Sequence, residues 1–174
     1  MTITVARLRV SEFNQTLIGL VTLLKDSVKS GASLGYLTDS PISEYEKFWQ
    51  KEFRKVEENQ NVILVARIET ELIGVVCLNA VGKANQQHRA EVRKLLVALD
   101  HQNQGIATKL MTELEAIAKT LGKSLLNLDT ESNSAADYLY QKLGWQKYGV
   151  IPRYAASPDG ILLECSFYFK ELSD

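Results

Sequence analysis

The chain is poor in the residues that staple small folds or hold metals, with two cysteines and two histidines in 174 residues. Cys77 and Cys165 lie in apolar stretches without C-x-x-C spacing, and His88 and His101 show no H-x-x-x-H spacing. Zinc sites draw on such close ligand pairs, so no metal site is expected. The thiols are expected to be reduced core residues of a cytoplasmic protein. Proline is also scarce, at three residues. No linker or low-complexity segment divides the chain, so one domain is expected over residues 1–174. No apolar run reaches the ~20 residues of a membrane helix. The N-terminus lacks a basic segment followed by an apolar core, so no signal peptide is expected. An excess of one charge is missing too: 20 basic residues face 21 acidic ones, for a net charge of −1. Nucleic-acid-binding domains usually carry a basic surplus, so neither nucleic acid nor membrane is expected as a partner.

What the chain does have is alternating and helical apolar patterning, within a hydrophobic fraction of 45%. Residues 2–9 alternate and read as a strand. Ser11 is placed to cap a helix with Phe13, Leu17, Leu20, Val21, Leu24 and Val28 on one face. Residues 30–41 are small and turn-forming, and read as a loop. Ser43 and Glu46 are spaced as a capping box for a second helix, with Tyr45, Phe48, Trp49, Phe53 and Val56 inward. Apolar runs at 61–68 and 72–79, joined by a short polar link, predict an antiparallel hairpin. Further strands are expected at 91–99, 123–129, 145–150 and 161–170, with residues 151–160 as a loop. The resulting order, βααβββαβαββ, predicts an α/β fold with a mixed, mostly antiparallel sheet of about seven strands and four helices.

The most informative stretch is residues 91–121. A strand runs into Gln102-Asn-Gln-Gly105-Ile-Ala107. A helix follows with Ala107, Leu110, Met111, Leu114, Ile117, Ala118 and Leu121 at helical spacing, and Gly122 stops it. The first N–H groups of a helix have no internal partner, and its dipole presents positive potential there, which suits a phosphate. Glycine permits close approach of a ligand to the backbone. The stretch is neither a dinucleotide fingerprint nor a P-loop.

Gln102, Gly105 and Ala107 resemble the Gln/Arg-x-x-Gly-x-Gly/Ala signature of the Gcn5-related N-acetyltransferase (GNAT) superfamily. Asn133-Ser-Ala-Ala136-Asp-Tyr-Leu139-Tyr140, continuing to Gly144-Trp145, resembles that family's Asn-x-x-Ala-x-x-Leu-Tyr helix, with Trp in place of Phe. The resemblance covers nearly the whole chain and implies a single GNAT domain using acetyl-CoA. Leu96, Val97 and Ala98 would offer backbone groups to the pantetheine arm, and Asn133 would bond it from the last helix. Gln102, Asn103, Gln104, Gly105, Ile106, Ala107 and Thr108 would surround the pyrophosphate. The family often has Arg at the positions of Gln102 or Gln104, so the amides would hold the phosphate with less help from charge. The strands carrying Val97 and Asp129 are expected to diverge and admit the arm.

Acyl transfer to an amine needs a proton acceptor and support for the departing thiolate. The matching position makes Tyr140 the candidate acid, although its spacing also fits a core aromatic. Glu91 and Asp129 compete as the base, and each is also readable as an ordinary strand-end carboxylate. His88 could act through water, and Lys109 could assist the phosphates; both also read as solvated side chains. Gly31-Ala-Ser-Leu-Gly35-Tyr36, Phe48-Trp49, residues 88–95, Leu128-Asp129-Thr130-Glu131 and residues 149–160 resemble the tabtoxin-resistance-type branch. That implies a small amine substrate, amino-acid-like in that branch, bounded by the loops at 31–41 and 152–160. Protein acetylation and a non-catalytic acyl-CoA-binding module are the alternatives. Many members pair as dimers, and the hydrophobic closing strand is the candidate for such pairing.

Overall fold

A computed structural model describes residues 2–172. The elements run β1 (Ile3–Arg7), α1 (Phe13–Lys29), α2 (Ile42–Glu57), β2 (Asn61–Ile68), β3 (Glu71–Ala80) and β4 (Arg89–Val97). They continue α3 (Ile106–Thr120), β5 (Leu125–Glu131), α4 (Ala135–Lys142), β6 (Gln146–Ala156) and β7 (Leu162–Glu171). The predicted order is the observed one. The strands form one seven-stranded sheet, ordered β1-β2-β3-β4-β5-β7-β6. Among the described residues only β4 and β5 pair in parallel. Among the described residues no helix is long and apolar enough to cross a membrane.

Strand side chains alternate between faces, and here they feed two cores. Leu64, Val76, Leu78, Ala90, Val92, Leu126 and Leu128 meet α3 and α4 through Leu110, Leu114 and Tyr140. Ile63, Val65, Val75, Cys77 and Leu96 meet α1 and α2 through Leu20, Leu24, Tyr45 and Trp49. Both cysteines are buried and unpaired. Val92 and Leu96 face opposite layers although they are four positions apart, an even offset. The cause is a bulge: Lys94 has φ of +55°, and the β3–β4 register slips between Val75 and Cys77. One extra residue inverts the alternation. Gly74 on β3 allows α3 to pack closely, because a Cβ there would lie 3.0 Å from Leu110, 3.1 Å from the Leu96 carbonyl and 3.3 Å from Ile106.

Three local expectations are corrected. Ser11 caps nothing: it lies in a 3-10 turn (Val10–Glu12) that precedes α1, where the Glu12 carboxylate accepts from the Arg9 N–H at 3.0 Å. The Ser43–Glu46 capping box does not form, because Pro41 occupies the cap position with φ of −70° and starts α2 at Ile42. Ser43 is therefore already inside the first turn, too late to cap it. The stretch 151–160 is mostly strand: β6 continues to Ala156 through an irregularity between Ile151 and Ala155, with Arg153 at φ of +57°. Pro152 is tolerated because β6 is an edge strand. The closing strand β7 is not an edge at all, being paired with β5 on one side and β6 on the other.

Candidate active site

β4 and β5 pair only at Arg89–Leu125, Ala90–Leu126 and Glu91–Asn127. β4 then runs on to Val97 and β5 to Glu131, so beyond Glu91 and Asn127 no ladder joins them. The expected gap is present. Leu96 is paired with Val75, and Val97 with Gly74, on the β3 side; this leaves their other edge, toward the gap, without a strand. The Ala98 N–H is taken by the Ile73 carbonyl at 2.9 Å.

The turn before α3 lies at one end of the gap. Asn103 and Gly105 have φ of +60° and +79°, and a left-handed conformation is cheap for glycine and tolerable for asparagine. Among the described residues, no carbonyl or side chain accepts from the N–H groups of Asn103, Gln104, Gly105, Ile106, Ala107 or Thr108, whereas Lys109 bonds back to Gly105 at 3.0 Å. A row of unspent amides at a helix start fits a pyrophosphate. Gln102 and Gln104 brace the turn rather than reach outward: their side chains donate to the carbonyls of Val97 and Asp100, each at 3.3 Å. Lys109 is diverted to the Ile3 carbonyl at 2.5 Å.

The other wall is α4. Its cap is Ser134, whose Oγ accepts from the Asp137 N–H. Asn133 is therefore not the cap, and no internal hydrogen bond engages its side chain among the described residues. Its φ of +62° bends the chain into the helix. Tyr140 is 5% exposed and lies with its ring 5.9 Å from those of both Trp145 and Tyr168. Burial first, and then the charge of Asp129, push its hydroxyl well above the usual phenol value.

Asp129 opens on the opposite face of the sheet, into a cavity of about 470 Å³ bounded by Ser33–Leu37, Arg93, Lys94, Ala155 and Ala156. Tyr140 and Asp129 thus lie on opposite faces of the sheet. Burial raises the Asp129 carboxyl and Glu91 adds to the rise, while Arg93 and Lys94 pull it back in part. Glu91 is half-exposed and 3.9 Å from Arg89. His88 opens on a separate cavity with Ser124, Gln146 and Glu171, away from Asp129.

The sequence reading did not single out Arg93 and Lys94 as site residues. Lys94 donates to the Leu34 carbonyl at 2.6 Å and lies over the rings of Tyr36 and Phe48, 5.5 and 5.1 Å from their centroids. Burial, reinforced by Arg93, brings its ammonium down to about 8. Strand alternation alone would have aimed it at the α3 layer; the bulge turns it into the pocket. Ser33 bonds the Ala156 carbonyl at 2.8 Å. The Thr38 N–H and hydroxyl both reach the Pro158 carbonyl, at 2.9 and 3.0 Å. The two loops are therefore tied together over the cavity. Among the described residues, neither Arg93 nor Asp129 joins an ion pair.

Comparison with known proteins agrees with this arrangement. Residues 25–145 match the Acetyltransferase (GNAT) family. The chain is similar in fold to the Salmonella typhimurium protein yncA, provisionally named an acetyltransferase and solved with its cofactor acetyl-CoA (TM-score 0.79, 16% identity, 100% of this chain and 96% of that one covered). It is similar also to a ribosomal-protein-alanine N-acetyltransferase from Brucella melitensis (TM-score 0.80, 19% identity, coverage 97% and 99%). A third likeness is to a protein provisionally named a phosphinothricin N-acetyltransferase (TM-score 0.81, 17% identity, coverage 99% and 100%). The family match spans well over half of the chain, and with the gap and the amide turn in place the protein belongs to the GNAT acetyltransferase family and uses acetyl-CoA.

Proposed function

We propose that the protein transfers an acetyl group to a primary amine of a small, amino-acid-like molecule by direct attack in a ternary complex. The observation that carries this reading is the acceptor cavity. It is bounded by two segments bonded to each other, and its charged groups are one carboxylate, Asp129, and two cations, Arg93 and Lys94, none of them in an ion pair among the described residues; the Lys94 ammonium is engaged by the Leu34 carbonyl, which leaves the Arg93 guanidinium the freer cation. A carboxylate suits an ammonium group, and a guanidinium suits an acid group on the same molecule.

In this reading Asn103–Thr108 hold the pyrophosphate through their amides, and the free edge of β4 at Leu96 and Val97 and the side chain of Asn133 hold the pantetheine arm; Ala98, expected to join them, has its N–H bonded to Ile73 and its carbonyl to His101. Acetyl-CoA supplies the thioester, whose carbonyl carbon gains a bond to nitrogen as its bond to sulfur breaks. Asp129 takes the proton the amine must lose, its raised pKa bringing it closer to neutrality than an ordinary carboxylate. Glu91 is the second candidate for that proton, lying at the paired end of the strands opposite Asn127. Tyr140 supports the departing sulfur. A phenol with a pKa above the ordinary value of roughly 10 does not readily protonate a thiolate whose acid lies near ~8.5, so its role is hydrogen-bond donation to the thiolate. Holding both reactants side by side removes the need for a covalent enzyme intermediate. This reading has the protein act in the cytoplasm, and a homodimer would pair through the β6 edge, where Tyr148, Val150 and Tyr154 are exposed.

The test is release of CoA thiol from acetyl-CoA across a panel of amino acids, amines without an acid group, and short peptides. Turnover restricted to acidic small amines, and reduced about 100-fold in Tyr140→Phe, is the expected result. Turnover confined to peptides would assign the protein-acetylating alternative. Acetyl-CoA binding without turnover anywhere on the panel would assign a binding module.

A further inference from the structure

Asp137 lies on α4 between the two residues of that wall proposed above to serve acetyl-CoA, four positions after Asn133 and three before Tyr140. It is 1% exposed, although it is a carboxylate. Everything around it donates. The Asn133 N–H reaches Oδ2 at 2.8 Å, the Tyr168 hydroxyl bonds Oδ1, and the Lys147 ammonium lies 3.2 Å from Oδ1. The same tyrosine hydroxyl is 3.4 Å from the Asp137 carbonyl. Lys147 also lies over the Tyr168 ring, 5.3 Å from its centroid. One carboxylate therefore joins the turn before α4, the middle of β7 and the start of β6.

α4 is eight residues long, and its only buried residues are Asp137 and Tyr140. The remaining apolar contacts of the helix are partial, from Ala136 and from Leu143 at its C-cap. A helix this short is marginal by itself, and Asp137 is its one buried polar contact to the sheet among the described residues. Tyr168, which is fully buried, serves both contacts, through its hydroxyl to Asp137 and through its ring against Tyr140. The left-handed turn at Asn133 is likewise closed by the bond from its own N–H to Asp137.

We infer that Asp137 is a positioning residue of the acetyl-transfer site, setting the rotation of α4 and the turn before it so that Asn133 and Tyr140 both face the gap. This rests on the roles proposed above for those two residues. Asparagine cannot replace it, because its NH2 would oppose an obligate donor, whichever oxygen it replaced. Removing only the Tyr168 hydroxyl should give a weaker form of the same defect.

The experiment measures acetyl-CoA affinity by calorimetry, which needs no acceptor, beside kcat, well below each variant's Tm. Asp137→Asn is expected to weaken acetyl-CoA binding about tenfold and to lower kcat by more than that, and Tyr168→Phe to do both to a smaller extent. Glu52→Ala removes a buried carboxylate from the other layer and serves as the control: it should lose stability yet keep acetyl-CoA affinity. Wild-type affinity in folded Asp137→Asn would overturn the inference, leaving Asp137 a helix anchor. If that variant does not fold, Tyr168→Phe decides in the same way. Absence of turnover in wild-type protein would sink the acetylation of a small amine, while the affinity comparison would still judge Asp137.

Discussion

The two faces of the sheet bury a carboxylate each, and the contrast between them shows how the molecule divides its work. On the α1/α2 face, Glu52 is 2% exposed and accepts from the amides of Asn61 at 2.7 Å and Asn79 at 2.8 Å, and from Lys55 at 3.0 Å. Around it the Oδ1 atoms of Asn61 and Asn79 and the Nε1 of Trp49 have no partner. On the α3/α4 face, Asp137 is held by an N–H, a phenol and an ammonium. An amide can turn its oxygen or its nitrogen to a neighbour; the N–H and the ammonium can only donate, and between them they face both carboxylate oxygens. The front face is thus a tolerant support for the loops over the acceptor cavity. The back face holds the helix turns that meet the acyl donor, and its polar contacts leave no alternative arrangement.

The strongest test of this division is at the gap, where the faces meet. Asp129→Asn should lower kcat/KM about 10²-fold or more. In the wild type, kcat/KM should rise with pH through the raised Asp129 pKa, since only the ionised form accepts a proton. The variant should lose that rise, and if it keeps it, Glu91 becomes the base. The next effect should separate the faces by substrate. Arg93→Gln or Lys94→Met should raise KM for the acceptor about tenfold and leave KM for acetyl-CoA within twofold. An equal change in both would break the division.

Gly74→Val should act only on the back face. Its side chain would press on Leu110 and Ile106, and overpacking of this kind costs about 1–3 kcal/mol. Urea unfolding measures the loss, and acetyl-CoA affinity should fall with it as the α3 turn shifts. The smallest effect should come from Glu52→Gln, within about 0.5 kcal/mol, because the neighbouring amides can turn to meet it. Asp137→Asn offers the sharpened contrast through pH. Burial pushes the Asp137 carboxyl up, but bonds from Tyr168, Asn133 and Lys147 outweigh it and hold it below its ordinary value. Its contribution is therefore complete above the ordinary carboxylate range and is lost as pH falls through the lowered pKa. The stability gap between wild type and Asp137→Asn should be full at neutral pH and close in acid, as chemical unfolding at several pH values would show.

Much of the frame was legible in the residues themselves. The amphipathic patterns of α1 to α3, the turn at Gly105, the stop at Gly122 and the hairpin at 69–71 follow from side-chain spacing and backbone preference, which act over a few residues. The expectation for Asn133 and Tyr140 came with a recognised motif, and the structure puts Asn133 in the turn before α4 and Tyr140 on α4, buried beside Trp145 and Tyr168. The errors arose where local rules competed. Ser43 looked like a cap until Pro41 started the helix sooner. Residues 151–160 looked like a loop because proline and glycine usually break strands, and β6 keeps its strand by lying at the edge.

What the sequence determined by itself is the order of elements and the amide-lined turn, because each depends on neighbours along the chain. Only the tertiary structure decided that β7 inserts between β5 and β6, that the bulge at Lys94 turns an ammonium into the acceptor cavity, and that Asp137 draws three separate segments together. Those features depend on which distant donors and strands come into contact. The energy of a buried carboxylate or an inverted register is set by those distant partners, so it leaves no periodicity for a single chain to display.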